Sequence, residues 1–235
     1  MADAAALTTD QLLGLDASHV VAFAPGVLLH PSVFDPLKQL QAKAKAAGFD
    51  LQVASGYRSF DRQCVIWNRK ANGEAPVLDN DGNPLDINAL SGGERVHAIM
   101  RWSALPGTSR HHWGSDFDIW DSAAVGPDYK LQLSVAETLP TGPFAAFYQW
   151  LEGELPSTCF YRPYDRDRNG VAVEPWHLSY APLAERALGQ LSADVVAQQL
   201  QQQPLALCDD VLAQLPQLYS RYVTNVSPNP RYQMA

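Results

Sequence analysis

Apolar and polar positions divide the chain into short elements separated by turn chemistry. Residues 31–48, "PSVFDPLKQLQAKAKAAG", carry apolar side chains at helical spacing and end in Gly48, a residue suited to the left-handed stop of a helix. In "FDLQVASGYRS", Leu51, Val53 and Ala54 predict a short strand that runs into a loop at Ser55-Gly56. Ser59 is placed to cap a helix through "FDRQCVIWNRKAN", which ends near Gly73 and turns Cys64, Ile66 or Trp67 toward the core. The stretch "VLDNDGNPLDINALSGGER" is turn-rich, and its "NDGN" centre predicts a hairpin tip or surface loop. "DFDIWD" alternates as a strand does, and "PFAAFYQWLEGEL" reads as a helix with Pro143 in its first turn. "CFYRPY" and "VAVEPWHLSY" predict two strands joined by the turn "DRDRNG".

After about Tyr180 the pattern changes. The sequence becomes rich in Leu, Ala and Gln at helical spacing, punctuated by Ser192 and Pro204. This divides the chain into a domain of residues 1–182 and a helical extension of residues 183–235 packed on it, with an irregular tail "SPNPRYQMA". No internal repeat is visible.

Composition narrows the function. Apolar residues make up 46% of the 235 and charged ones 18%, which describes a chain with a core. A net charge of −8 opposes binding to nucleic acid, which needs a basic face, and adsorption to anionic membrane. Neither is expected as a partner. Cys64, Cys159 and Cys208 lie far apart and predict reduced thiols rather than a disulfide framework. The N-terminus has no basic region, and Asp3 and Asp10 interrupt its apolar run. The expected location is cytoplasmic, or periplasmic where a leader has been removed.

Candidate chemistry centres on histidine. His19, His30 and His97 stand alone and read as surface or core residues. His111, His112 and His177 have chemical company. A catalytic zinc needs three protein ligands and an open position, and two imidazoles with one carboxylate are a suitable set. His111, Asp118 and His177 would supply it. Glu174, three residues before His177, is then the free carboxylate that takes a proton from an activated water. "DRDRNG" and "DNDGN" resemble the start of calcium loops, but Trp176 and Leu90 stand where the twelfth-position Glu is needed. Both read as turns.

Three blocks, "SGYRS" with Gln63 four residues on, "SRHHWGSDFD" and "EPWH", occur in that order. Together they resemble the LAS-type zinc peptidases, specifically the D-alanyl-D-alanine carboxypeptidase group that includes VanY-like enzymes and the D,D-dipeptidases. That family's pattern is S-G-[YF]-R-S-x3-Q, S-x-H-x2-G-x-A-x-D and E-x-W-H. The resemblance spans roughly residues 30–182. It implies an α+β fold, a small central antiparallel sheet flanked by helices of the hedgehog/D-Ala-D-Ala peptidase type, with a C-terminal helical extension.

The resemblance also implies roles. His111, Asp118 and His177 match the ligands of one Zn2+ per chain, and Glu174 the general base. Arg58 matches the arginine that polarises the scissile carbonyl, a task a fixed guanidinium performs by donating to developing negative charge. Ser109 and Gln63 match positions that hold the substrate's terminal carboxylate or backbone, and Tyr57 a pocket wall or a core residue. One position departs: Asp116 stands where the family has Ala. It shares a strand face with Asp118, so it either orients a ligand imidazole or competes as the ligand. His112 is expected beside the cleft, incidental to the metal.

The implied substrates are peptidoglycan-derived peptides ending in D-Ala. With a cytoplasmic location the expectation is an L,D-carboxypeptidase that trims tetrapeptides to tripeptides in cell-wall recycling. The alternatives are a D,D-carboxypeptidase or D,D-dipeptidase, a phage endolysin peptidase and, in another class, a zinc-containing binding module without catalysis.

Overall fold

The structure is a computed structural model that describes residues 6–79 and 82–229. A short helix α1 (Thr9–Leu13), closed by a capping box between Thr8 and Gln11, leads into a hairpin of β1 (Val21–Ala24) and β2 (Val27–Leu29). Helix α2 (Phe34–Ala46) follows a tight turn at Pro31–Val33 and stops before Gly48, whose φ is +92°. Strand β3 (Leu51–Ser55) runs into α3 (Phe60–Ala71), capped by the Ser59 side chain. On α3, Phe60, Gln63, Trp67 and Ala71 are buried, whereas Cys64 and Ile66 are only half-buried.

Helix α4 (Gly92–Met100) occupies part of the stretch expected to be turns. Its two leading glycines hide the helix, but Ser91 and Glu94 form a reciprocal capping box that starts it. The expected "NDGN" tip includes Asn80 and Asp81, which lie outside the described residues; beside it, Leu78 and Pro84 bridge antiparallel.

Strand β4 (Asp116–Asp121) and helix α5 (Ala145–Glu154) are where the pattern predicts them. Strands β5 (Phe160–Tyr161) and β6 (His177–Tyr180) are shorter than expected. Residues 171–176 are not strand, because Pro175 has no N–H for a ladder and the His177 N–H turns back to the Glu174 carbonyl at 3.1 Å. Helices α6 (Ala181–Gln190), α7 (Ala193–Leu200) and α8 (Cys208–Leu218) follow, and α8 passes into one wide π turn at Tyr219–Val223. The expected irregular tail is described only to Asn229.

The main sheet is antiparallel throughout, in the order β3-β4-β6-β5. Its register sorts side chains by face. Phe117 pairs with Leu178, and both, with Ile119, are fully buried in the apolar core. One residue either way, Asp118 pairs with His177 and Asp116 with Ser179 on the opposite face. That face is also buried, which is unusual for such a polar set and marks where the chemistry sits.

Candidate metal centre and active site

The "RHHW" segment, Arg110–Trp113, is a single 3-10 turn laid against the loop after β3. Its two histidines grip that loop from both ends. His111 Nδ1 donates to the Gly56 carbonyl at 2.9 Å, and His112 Nδ1 donates to the Arg58 carbonyl at 2.6 Å. The Arg58 N–H returns a bond to the His111 carbonyl at 3.2 Å. Gly56 is required here, since a Cβ would lie 2.5 Å from the Leu28 carbonyl of β2. His112 Nε2 accepts from the Gly107 N–H at 3.1 Å, which needs a neutral ring. Burial keeps it neutral, pushing its pKa down to about 3. His112 is therefore no ligand, as expected, but it is not incidental: it fastens the Arg58 loop.

The same hydrogen bonds settle which ring nitrogens stay free. A carbonyl only accepts, so His111 carries its proton on Nδ1 and leaves a lone pair on Nε2. His177 Nε2 lies 3.1 Å from Asp116 Oδ1, which leaves its Nδ1 for the site. His111 Nε2 is 3.6 Å from Asp118 Oδ2, and His177 Nδ1 is 3.3 Å from Asp118 Oδ1. One ligand atom from each of the three residues lies within 4.8 Å of the others. Bonds of about 2.0–2.1 Å at tetrahedral angles around zinc put ligand atoms roughly 3.3 Å apart, so the spacing fits. Asp118 Oδ1 is buried with His177 Nδ1 as its near neighbour at 3.3 Å and no well-formed hydrogen bond, a position that a cation would satisfy.

Electrostatics point the same way. Burial pushes the His111 pKa down to about 4, against the pull of Asp118, so the ring is a neutral donor. For His177, burial is outweighed by the hydrogen bonds and charge of Asp116 and Asp118, which raise it to about 10. The carboxylates thus demand positive charge between them, from a proton or from a metal.

Asp116 does not face the shared point. Its Oδ1 accepts from Arg110 Nε at 2.7 Å as well as from His177, and its Oδ2 accepts from Ser115 Oγ at 2.5 Å. Arg110 in turn reaches Ser179 Oγ at 2.7 Å and Tyr161 Oη at 3.0 Å, and lies over the Trp113 ring. Of the two roles open to Asp116, the geometry supports the one that orients His177.

Glu174 borders the three donors, its Oε2 3.5 Å from His177 Nδ1. Burial, aided by Asp118 and opposed by His177, Arg58 and Lys70, raises its pKa to about 7. Arg58 lines the same cleft and donates to Gln63 Oε1 at 3.0 Å. The cleft has a volume of about 120 Å³ and its lining also includes Ser109 and Tyr164, whose ring stands edge-on to His177.

Two expected site residues lie elsewhere. Gln63 is fully buried, with its amide committed to Arg58 and, at 2.6 Å, to the Ala104 carbonyl. It holds Arg58 and does not line the cleft. Tyr57 points its hydroxyl at the Gly14 carbonyl and its ring at His19, away from the cleft. Sequence reasoning missed Arg110 and Tyr164. Arg110 had a signal, because an Asp where relatives carry Ala needs a buried partner and Arg110 is the cation in the same motif.

The sequence profile described as VanY, D-alanyl-D-alanine carboxypeptidase, matches residues 26–183. The chain belongs to the VanY family. It is a metallocarboxypeptidase, a hydrolase of peptide bonds, as that family is. An uncharacterized protein of Haemophilus influenzae is 39% identical over 103 residues, covering 42% of this chain and 70% of its own length. In fold the chain is similar to VanYB in complex with D-alanine-D-alanine (TM-score 0.52, 21% identity, 83% of this chain and 91% of that one). It is also similar to a mutant of the vancomycin-resistance D,D-pentapeptidase VanY in complex with Zn(II) (TM-score 0.51, 22% identity, 83% and 92%). The VanY match covers every donor described above.

Proposed function

We propose that this VanY-family chain is a zinc carboxypeptidase that removes a terminal D-Ala from peptidoglycan peptides. One observation carries the reading: His111, Asp118 and His177 each bring a buried ligand atom within 4.8 Å of the other two, and Glu174 borders them. His111, Asp118 and His177 would hold one zinc ion. When bound, zinc supplies Lewis-acid polarisation and a nucleophilic water at neutral pH.

The chain's own residues do the rest. Glu174, with a pKa near 7, accepts a proton from the water as its oxygen attacks the scissile carbonyl carbon. It returns that proton to the departing nitrogen as the C–N bond breaks, so the products are a shortened peptide and a free amino acid. Arg58, held by Gln63, donates to the carbonyl oxygen as negative charge gathers there. Ser109 offers a hydroxyl in the cleft to the substrate backbone or carboxylate.

The proposed substrate is the tetrapeptide, cut as an L,D-carboxypeptidase in cytoplasmic recycling of cell wall. Cys64, Cys159 and Cys208 are free thiols, the state a reducing compartment maintains. In that compartment, removal of D-Ala from the pentapeptide would destroy the cell's own precursor. The second reading, a D,D-carboxypeptidase, is favoured by the likeness to VanYB, whose structure holds D-alanine-D-alanine. Purified protein incubated with tetra- and pentapeptide muropeptides, with and without chelator, tests both. Faster cleavage of the pentapeptide reverses the choice, and cleavage that survives complete metal removal ends the zinc reading.

A further inference from the structure

The VanY match ends at residue 183, yet Tyr222 and Val223 line the same cleft as Arg58 and Glu174. They sit on the π turn after α8, a form of backbone found frequently at functional sites. The segment is fastened on two sides. Toward α4, Tyr222 Oη bonds His97 Nδ1 at 2.9 Å. Toward the loop that carries Tyr164 and Glu174, Arg221 Nε donates to the Asn169 carbonyl at 2.6 Å, Asn225 Nδ2 to the Arg168 carbonyl at 2.9 Å and the Ser227 N–H to the Pro163 carbonyl at 2.8 Å. Contact is so close at Gly170 that a Cβ would lie 2.4 Å from the Arg221 carbonyl.

Tyr222 and Val223 share the cleft lining with the apolar side chains of Met100, Trp102 and Val171. Beside them stands Ser103, also in the lining, whose Oγ accepts from Lys70 Nζ at 2.6 Å. A terminal D-Ala presents one methyl group and one carboxylate. Apolar side chains next to a hydroxyl backed by an ammonium group match both.

We propose that the C-terminal segment, from outside the family match, walls the pocket for the released residue, and that Val223 limits the size of its side chain. The inference rests on the carboxypeptidase reading above. It makes Val223 a specificity-determining residue, with Tyr222 holding the wall to α4.

The test uses the zinc-loaded full chain and stem tetrapeptides ending in D-Ala, Gly, D-Val or D-Leu. Wild type is expected to favour D-Ala. Val223→Ala should raise kcat/KM for D-Val and D-Leu relative to D-Ala by about tenfold, the scale of a few methyl groups in an apolar pocket. Val223→Leu should move selectivity the other way, toward Gly, and serves equally if the alanine variant does not fold. Wild-type cleavage of D-Ala peptides with selectivity in both variants unchanged within twofold overturns this inference alone. A wild type that cleaves none of the tetrapeptides overturns the L,D reading alone; the same variants on pentapeptides with the same terminal residues then decide this inference, and unchanged selectivity there overturns it.

Discussion

The polar face of the main sheet and the C-terminal helical layer are both buried, for opposite reasons. Asp116, Asp118, His177 and Ser179 on the sheet, with His111 on the turn against it, are at most 6% exposed, and each is held by hydrogen bonds or charge. In the helical layer, Val196, Leu200, Val211 and Leu218 are at 0% exposure and contribute by apolar contact alone. The first region leaves Asp118 Oδ1 and Arg110 Nη1 without a well-formed hydrogen bond. Among the described residues the second leaves no buried polar side-chain atom so. Substitution in the first should therefore disturb chemistry or leave a charge stranded, and in the second should only loosen packing.

The sharpest separation is expected at Glu174. Glu174→Gln keeps the shape and removes the proton acceptor, so turnover of D-Ala peptides should fall by about 10²–10⁴. Zinc content and melting temperature should stay near wild type. Elemental analysis beside kcat decides it, and loss of metal in step with activity would move Glu174 from base to ligand. Asp116→Asn should act differently, because it leaves Arg110 buried without its counter-ion. A cost of about 3–5 kcal/mol is expected in denaturant unfolding, together with zinc bound about 10–100-fold more weakly. On the other side of the comparison, Leu200→Ala opens a cavity and should cost about 2–4 kcal/mol. The folded fraction should retain wild-type kcat. A drop in kcat there would mean that the helical layer is coupled to the cleft by more than Tyr222 and Val223.

The two regions also differed in how much of them the sequence disclosed. Helical spacing after Tyr180 was plain, since an apolar stripe is a local pattern, and so was the break at Ser192, which the structure shows to be the cap of α7. The donors were legible because zinc chemistry restricts residue type and spacing. What escaped were consequences of register and distance. Pro175 in "EPWH" signals a break in the ladder, but nothing there says that β6, starting at His177, sets Asp118 opposite His177. Gln63 and Tyr57 carry the right chemistry for a cleft, but their side chains are spent on Arg58 and Gly14. Tyr222 reaches the cleft from more than forty residues beyond His177, a contact that no motif encodes.

Glu137 supplies the control that separates burial of a charge from use of it. It is 6% exposed, as buried as Asp118, but both of its oxygens are filled. Oε1 accepts from Tyr129 Oη at 2.7 Å and from the Gln132 N–H at 2.9 Å, and Oε2 accepts from the Ser134 N–H at 2.9 Å. Burial raises its pKa, but these donors outweigh burial and leave it below its usual 4.5. A carboxyl depressed in this way stabilises the fold above its usual pKa, and the contribution fades as the pH falls through the lower folded value. Glu137→Gln should therefore cost about 1–2 kcal/mol at neutral pH, the smallest effect of the set. The gap between wild type and variant should narrow as unfolding is measured at successively lower pH, with zinc binding and kcat at neutral pH unaltered. A gap that widened in acid would mean that the charged form is not the one these donors favour, and a loss of zinc would mean that the distinction between a filled carboxylate and Asp118 had been drawn in the wrong place.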